Sequence, residues 1–204
     1  MPKARVLCVQ ADVSDLSPAL EAVARCVKEL GGLDILVNNA AMRNYSAAAQ
    51  ATAPEWHAIV GVNLVGITNY CHAALPHLRS TGRGSIVNVS SCYAVKGRKG
   101  MALFDATKAA QLALTRSLAC EEAVHGVRVN AVCPGSTLTD FHVGRAQQAG
   151  KSIEQLKTER KDSSLLGRWA APEEIAWPIL WMSSSEGSFI TGSTLVVDGG
   201  LHIV

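Results

Sequence analysis

Short β-branched runs alternate along this chain with segments of helical period, and that alternation constrains the fold more than any other feature. Five runs read as strands: Arg5-Val6-Leu7-Cys8-Val9, Asp34-Ile35-Leu36-Val37, Ser85-Ile86-Val87-Asn88-Val89, Val127-Arg128-Val129-Asn130-Ala131-Val132 and Thr194-Leu195-Val196-Val197. Near-continuous apolar character in a short run belongs to a strand covered on both faces, which is the condition of a parallel sheet. Strands separated by helices build such a sheet from repeated βαβ units. The expected class is therefore α/β, with helices on both faces of one parallel sheet.

The helices have legible boundaries. Thr52, Pro54 and Glu55 combine a threonine cap, a first-turn proline and a capping-box glutamate, and this helix is expected to run to about His77. Another is expected over Leu103 to Ala123, and a further one starts at Pro172-Glu173-Glu174. Pro178 falls inside that last helix and should bend it or make it irregular, because it removes a backbone donor. The stretch from about Thr137 to Gly167 is polar and mixed in charge, with Lys151, Glu154, Lys157, Glu159, Arg160, Lys161 and Asp162. It reads either as a helical lid or as an exposed hairpin without a role. No repeat or linker divides the chain, so residues 1–204 are expected to form one domain.

Nineteen basic and seventeen acidic side chains are scattered without a run that could track phosphates, so nucleic acid is not an expected partner. The six cysteines lie 13 to 45 residues apart, with no CxxC pair or metal-ligand spacing. They read as small buried hydrophobes of a reducing compartment, and no metal is expected. Neither a secretory pattern nor a bilayer-spanning run is evident, which leads to a cytoplasmic expectation with no membrane partner.

In open α/β sheets ligands bind outside the carboxyl ends of the strands, so the residues just beyond each strand carry the functional information. Those exits are Gln10-Ala11-Asp12-Val13, Asn38-Asn39-Ala40-Ala41, Ser90-Ser91, Cys133-Pro134-Gly135 and Asp198-Gly199-Gly200. Each alone is ordinary turn chemistry. Together, in this order and spacing, they resemble the short-chain dehydrogenase/reductase family. That family's Asn-Asn-Ala-Gly is matched by Asn38-Asn39-Ala40-Ala41, its mid-helix asparagine by Asn63, its catalytic serine by Ser91 and the lysine of its Tyr-x-x-x-Lys motif by Lys108. Pro134-Gly135 with Thr139, Pro172-Glu173-Glu174-Ile175-Ala176, Ile190-Thr191-Gly192 and Val197-Asp198-Gly199-Gly200 continue the match over nearly the whole chain.

The resemblance implies a Rossmann-like doubly wound parallel sheet and NAD(P)-dependent hydride transfer on a carbonyl or alcohol substrate. It implies that Ser91 holds the substrate oxygen, that Lys108 tunes the proton donor and binds the nicotinamide ribose, and that Asn63 supports a water-linked proton relay. It places Asp12 and Val13 at the adenine, Asn39 and Ala40 along the cofactor groove, and Pro134, Gly135, Thr137 and Thr139 beside the nicotinamide.

Two departures stand against that inventory. Phe104 occupies the tyrosine position and has no proton to exchange, which should slow ketone chemistry by about 10²–10⁴-fold. Tyr93 and Lys96, close after Ser91, are the nearest substitutes, although a tyrosine packed at a loop surface with its hydroxyl in water is the simpler reading of Tyr93. The family's opening strand, its Gly-rich turn, the helix behind it and a second strand have no counterpart in these residues. Their absence would leave three strand spacings of ~4.8 Å, roughly 14 Å, between the Arg5 and Asp34 strands. The Arg5 run must then slide in beside Asp34, detach, or be completed by another chain, unless the protein extends upstream of Met1.

Two functions follow as expectations: an oxidoreductase impaired at Phe104 and the Gly-rich loop, or a non-catalytic family member acting as a binding or assembly partner. The 52–77 and 103–123 helices match the pair that joins family dimers, and Ala109, Ala110 and Ala113 would allow close approach there, so a homo-oligomer is expected. A third arrangement, Ser91 as nucleophile with Lys108 as its base, requires the two side chains in hydrogen-bond contact.

Overall fold

The computed structural model describes residues 4–159 and 163–204, so Arg160, Lys161 and Asp162 of the expected lid lie outside the described residues. The sheet holds four parallel strands in sequential order: β1 (Ile35–Asn38), β2 (Ser85–Val89), β3 (Arg128–Pro134) and β4 (Thr194–Val197). Register is continuous across the middle, with Val87 opposite Val37 on one side and opposite Asn130 on the other.

The fifth expected strand is corrected. Arg5–Val9 forms no strand and stays outside the sheet, with Val6 79% exposed. A β-branched run becomes a strand only where a neighbour offers its backbone groups, and β1 pairs with β2 alone. The extended segment instead turns at Asp12 and enters helix α1 (Leu16–Leu30). It is held in place from α3 (Gly66–Thr81), whose Asn69 Nδ2 donates to both the Val13 and Ser14 carbonyls at 3.1 Å. Gly66 is required at this crossing, because a Cβ there would lie 2.9 Å from Val13 Cγ2.

Alternation along the strands divides the core between the two faces. Ile86, Val129, Ala131 and Cys133 face α3 and α4 (Ala102–Glu122), while Val87 and Val132 face α7 (Pro172–Ser183). Helix α1 packs on α3 and adds Val23 to the first face. All five residues of β2 are buried, whereas Ile35 and Val37 of β1 are 42% and 41% exposed, because α7 does not reach that far.

The helix beginning at Thr52 carries the complete capping box: Thr52 Oγ1 accepts from Glu55 N, and the Glu55 carboxylate accepts from Thr52 N at 2.8 Å. It extends beyond His77 to Thr81, in two α-helical parts, α2 (Ala53–Val60) and α3, joined by a π-helical turn at Gly61–Val65. At 29 residues Ala53–Thr81 is long and apolar enough by length and composition to cross a membrane, which corrects the absence of such a run expected above. Its apolar side instead packs in the interior through Ile59, Ile67, Cys71, Ala74 and Leu78. Helix α7 continues through Pro178 to Ser183. The polar stretch after β3 contains α5 (Asp140–Gln148) and α6 (Ile153–Thr158). Of the cysteines, Cys71, Cys92 and Cys133 are buried, but Cys8 and Cys120 are exposed, so the expectation of six buried thiols holds for only part of the set.

Candidate active site

The strand exits converge on a cavity of about 420 Å³ between the carboxyl ends of β2 and β3 and the helices α5 and α7. Ser91, Phe104 and Lys108 line it on one side, with Asn39 beside them. Pro134, Gly135, Thr137 and Thr139 line it from the β3 exit. Gly135 is needed for this convergence, since a Cβ there would stand 2.6 Å from Asp198 Cα at the neighbouring exit of β4. A smaller cavity of about 160 Å³ adjoins, lined by Val13, Asn39, Ala40 and Tyr70. Asn39 belongs to both walls, so the two cavities are neighbours.

Ser91 caps a short 3-10 turn over Cys92–Ala94, and its Oγ accepts from Tyr93 N at 3.2 Å. Lys108 lies on α4 with 2% of its surface exposed, rather than solvated in a first helical turn. Its Nζ donates to Val89 O at 2.7 Å and to Gln111 Oε1 at 3.3 Å. Burial pushes its pKa down to about 8, and the Arg43 charge pushes in the same direction against an opposite pull from Cys133. At neutral pH it is therefore still mostly an ammonium. Ser91 and Lys108 share no hydrogen bond, so the nucleophile–base arrangement is not formed.

Asn63 lies on the π-helical turn, fully buried behind the cavity rather than on its wall. Its Oδ1 accepts from Met42 N at 2.7 Å, while Nδ2 donates to Met42 O and Thr107 Oγ1 at 3.0 Å each. Gln111 joins it to Lys108, because Gln111 Nε2 donates to Asn63 O at 2.6 Å. The network continues through Thr115 and Asn88 to Asn38, each hydrogen bond within 2.9 Å. A fully connected buried network of this kind holds its members in one geometry.

Phe104 is 5% exposed, and its ring faces three cations: Arg43 Cζ at 5.4 Å, Arg98 Cζ at 5.5 Å and Lys108 Nζ at 5.6 Å from the centroid. Tyr93 is half-buried in the cavity wall under the Arg98 guanidinium, 3.7 Å from its ring centre, rather than at a loop surface. Arg98 is in turn paired with Asp105 at 2.8 Å. Lys96 points away, donating to Leu201 O at 2.9 Å.

Of the expected cofactor positions, Asp12 lines neither cavity. Its carboxylate accepts from Ser14 N at 2.9 Å and Ser14 Oγ at 2.7 Å, and these bonds lower its pKa. Residues the motifs did not single out also shape the site: Gln111, Arg43 and Trp169. Gln111 carried a signal, since it lies three residues after Lys108 on one helical face. Arg43 and Trp169 carried none, because their places depend on how loops return over the strand ends.

A family model described as enoyl-(acyl carrier protein) reductase matches residues 2–202. The short chain dehydrogenase/reductase astE of Aspergillus oryzae is 37% identical over 202 residues, covering 98% of this chain and 76% of its own length. A protein of Xanthobacter autotrophicus named inactive 2-(S)-hydroxypropyl-CoM dehydrogenase 2 is 35% identical over 196 residues, covering 96% of this chain and 85% of its own. Among solved structures, ligand-free aldohexose dehydrogenase of Thermoplasma acidophilum superposes with a TM-score of 0.91 at 30% identity, over 100% of this chain and 81% of that one. Gluconate 5-dehydrogenase of Burkholderia cenocepacia, in complex with NADP and tartrate, gives 0.84 at 28% identity, over 95% of this chain and 74% of that one.

Proposed function

The chain belongs to the short-chain dehydrogenase/reductase family of oxidoreductases, and from that premise we propose that its groove serves NAD(P)-dependent hydride transfer on a carbonyl or alcohol, slowed at the proton step by Phe104. The observation that carries this reading is the composition of one cavity wall. Ser91, Phe104 and the buried Lys108 line it together, with a phenyl ring at the residue that the resemblance assigns to the proton donor.

The two neighbouring cavities suit an elongated dinucleotide. Val13 and Ala40 would hold its adenosine end, while Pro134, Gly135, Thr137 and Thr139 would line its nicotinamide end. Bound there, NAD(P) supplies the hydride donor or acceptor. Ser91 Oγ, with its oxygen already accepting from Tyr93 N, keeps its own proton to donate to a substrate oxygen. The Lys108 ammonium, 5.6 Å from the Phe104 ring centre, would stabilise negative charge developing on that oxygen. Asn63 positions the Met42 backbone at the cavity edge. Without a phenol the substrate oxygen must take its proton from water, which is the slow step. The 137–167 segment acts as the substrate lid, and the exposed Ala109 and Ala113 face on α4 joins a second copy.

The second reading, a non-catalytic binding member, is favoured by the same phenyl ring and by the relative that is itself named inactive. Thermal unfolding with and without millimolar NADPH separates the two at the cofactor step. A hundredfold excess over Kd raises stability by ~2.7 kcal/mol, and a melting temperature that stays put removes the hydride-transfer reading.

A further inference from the structure

We propose that the cavity beneath α5 is an organic-anion site, in which Arg43 holds the carboxylate or phosphate of a ligand whose carbon chain lies on apolar surface elsewhere in the lining; this deepens the oxidoreductase reading by naming its substrate class. The argument begins with charge. The cavity is lined by Arg43, Arg98 and Lys108 and by no aspartate or glutamate among the described residues. Arg98 is answered by Asp105, and Lys108 gives its protons to two neutral oxygens. Arg43 makes no ion pair and no side-chain hydrogen bond with any described residue. Its guanidinium rests against two aromatic faces, Phe104 at 5.4 Å and Phe141 at 5.2 Å. A guanidinium stacked in this way keeps its in-plane N–H fork open for a bidentate oxyanion.

The loop carrying Arg43 is built to present it. Met42 is clamped by both ends of the Asn63 amide. On the other side, Glu55 Oε1 accepts from Asn44 Nδ2 at 3.0 Å and from Ser46 Oγ. The Tyr45 hydroxyl accepts from Arg145 on α5. Arg145 also lies over the Tyr45 ring at 4.5 Å and 5.9 Å from the Phe141 ring that Arg43 faces, and it forms no ion pair among the described residues, so a second uncompensated charge stands near Arg43. Uncompensated cations beside a low-dielectric cleft attract anions and raise their local concentration. Elsewhere in the lining, Ile175, Ile179 and Trp169 offer apolar surface suited to an alkyl chain. The smaller cavity, at Val13, Ala40 and Tyr70, does not include Arg43, and in the larger one the anion must sit beside the nicotinamide end rather than in its place.

The test is calorimetric titration of the full chain with hexanoate, hexyl phosphate and the neutral hexanamide, at low salt, without and with NADPH. A charge-assisted pair that neutral ligands cannot make should give hexanoate or hexyl phosphate at least about a tenfold advantage over hexanamide. The stronger of the two anions assigns carboxylate or phosphate. R43Q should abolish the advantage, while R83Q, which removes an exposed arginine paired with Asp34 at the β1 end, should preserve it. The proposal is overturned if hexanamide binds as tightly as the anions to the parent protein, if no anion binds at millimolar concentration, if R43Q binds as the parent does, or if NADPH displaces the anion competitively. Failure of the hydride-transfer reading would look different: F104Y would show no turnover while Arg43-dependent anion binding remained.

Discussion

The interior strand β2 and the Arg5–Val9 run are both short, apolar runs rich in β-branched residues, and they meet opposite fates. Ser85–Val89 pairs on both edges, is covered on both faces and is wholly buried. Arg5–Val9 has no pairing edge among the described residues, and its Val6 lies in solvent although Leu7 and Val9 are half-buried. The difference teaches that β-propensity describes fitness for a pleated, half-covered surface and does not create one. β1 stands between the two cases, paired on one edge and open on the face that α7 leaves bare. The site follows the same gradient, since its ordered network of Asn88, Thr115, Gln111 and Lys108 is rooted in the interior strands, while its smaller cavity borders the N-terminal segment that stays outside the sheet.

The sharpest test concerns the well-ordered end. If the interior site is intact apart from one hydroxyl, Phe104→Tyr should raise NADPH-dependent reduction of a reactive ketone such as ethyl acetoacetate by about 10²–10⁴-fold over the parent, read as the initial rate of NADPH loss. No gain alongside measurable NADPH binding would mean that the interior geometry is not poised for catalysis.

The contrast itself is broken or upheld by two truncations. Ile86→Ala in β2 should cost ~2–5 kcal/mol in urea unfolding, because the cavity it leaves is enclosed on all sides. Val6→Ala should stay within about 0.5 kcal/mol. Equal costs would show that the N-terminal run is packed in solution.

The buried ammonium supplies a pH test. The folded-state pKa of Lys108 is lowered by burial to about 8, so between pH 8 and its ordinary value of 10.5 the unfolded chain binds more protons than the folded one. Stability should therefore rise with pH through that window, by roughly 3 kcal/mol, whereas the full cost of burying the charge is present below pH 8. Lys108→Met should remove that rise. Cys71 and Tyr70, whose pKa values are raised by burial, pull the other way above their ordinary values but do so in both proteins. A stability difference between parent and variant that is flat with pH would mean that water reaches the ammonium.

A smaller loss than that at β2 is expected where local sequence acts alone. Thr52→Ala removes one half of the capping box and should cost ~1 kcal/mol by thermal unfolding. A negligible change would show that packing of α2 and α3, rather than the cap, holds the helix start.

Four of the five strand runs, the capped helix start at Thr52, the long α4 and the order of the strand exits were legible in the sequence. Each is a local signal: β-branched runs bounded by turn residues, a threonine three residues before a glutamate, an apolar face of helical period. The resemblance carried Ser91, Phe104, Lys108, Pro134, Gly135, Thr137 and Thr139 to one place, and the structure puts them around one cavity. Asn63 was legible as a special position in its helix, but its location on a π-helical turn behind the cavity was not, since π-turn geometry arises from packing against Met42 and Thr107.

The sequence by itself determined the class of fold and which residues stand at the strand ends, because periodicity, caps and motif spacing act within a few residues of their cause. Only the tertiary structure decided that the Arg5 run would go unpaired, that Lys108 would be buried and linked through Gln111 to Asn63, and that Arg43 would stand uncompensated over Phe104. Those outcomes depend on which backbone edge, carboxylate or aromatic face meets a residue from tens of positions away, and no local pattern encodes the partner that fails to arrive.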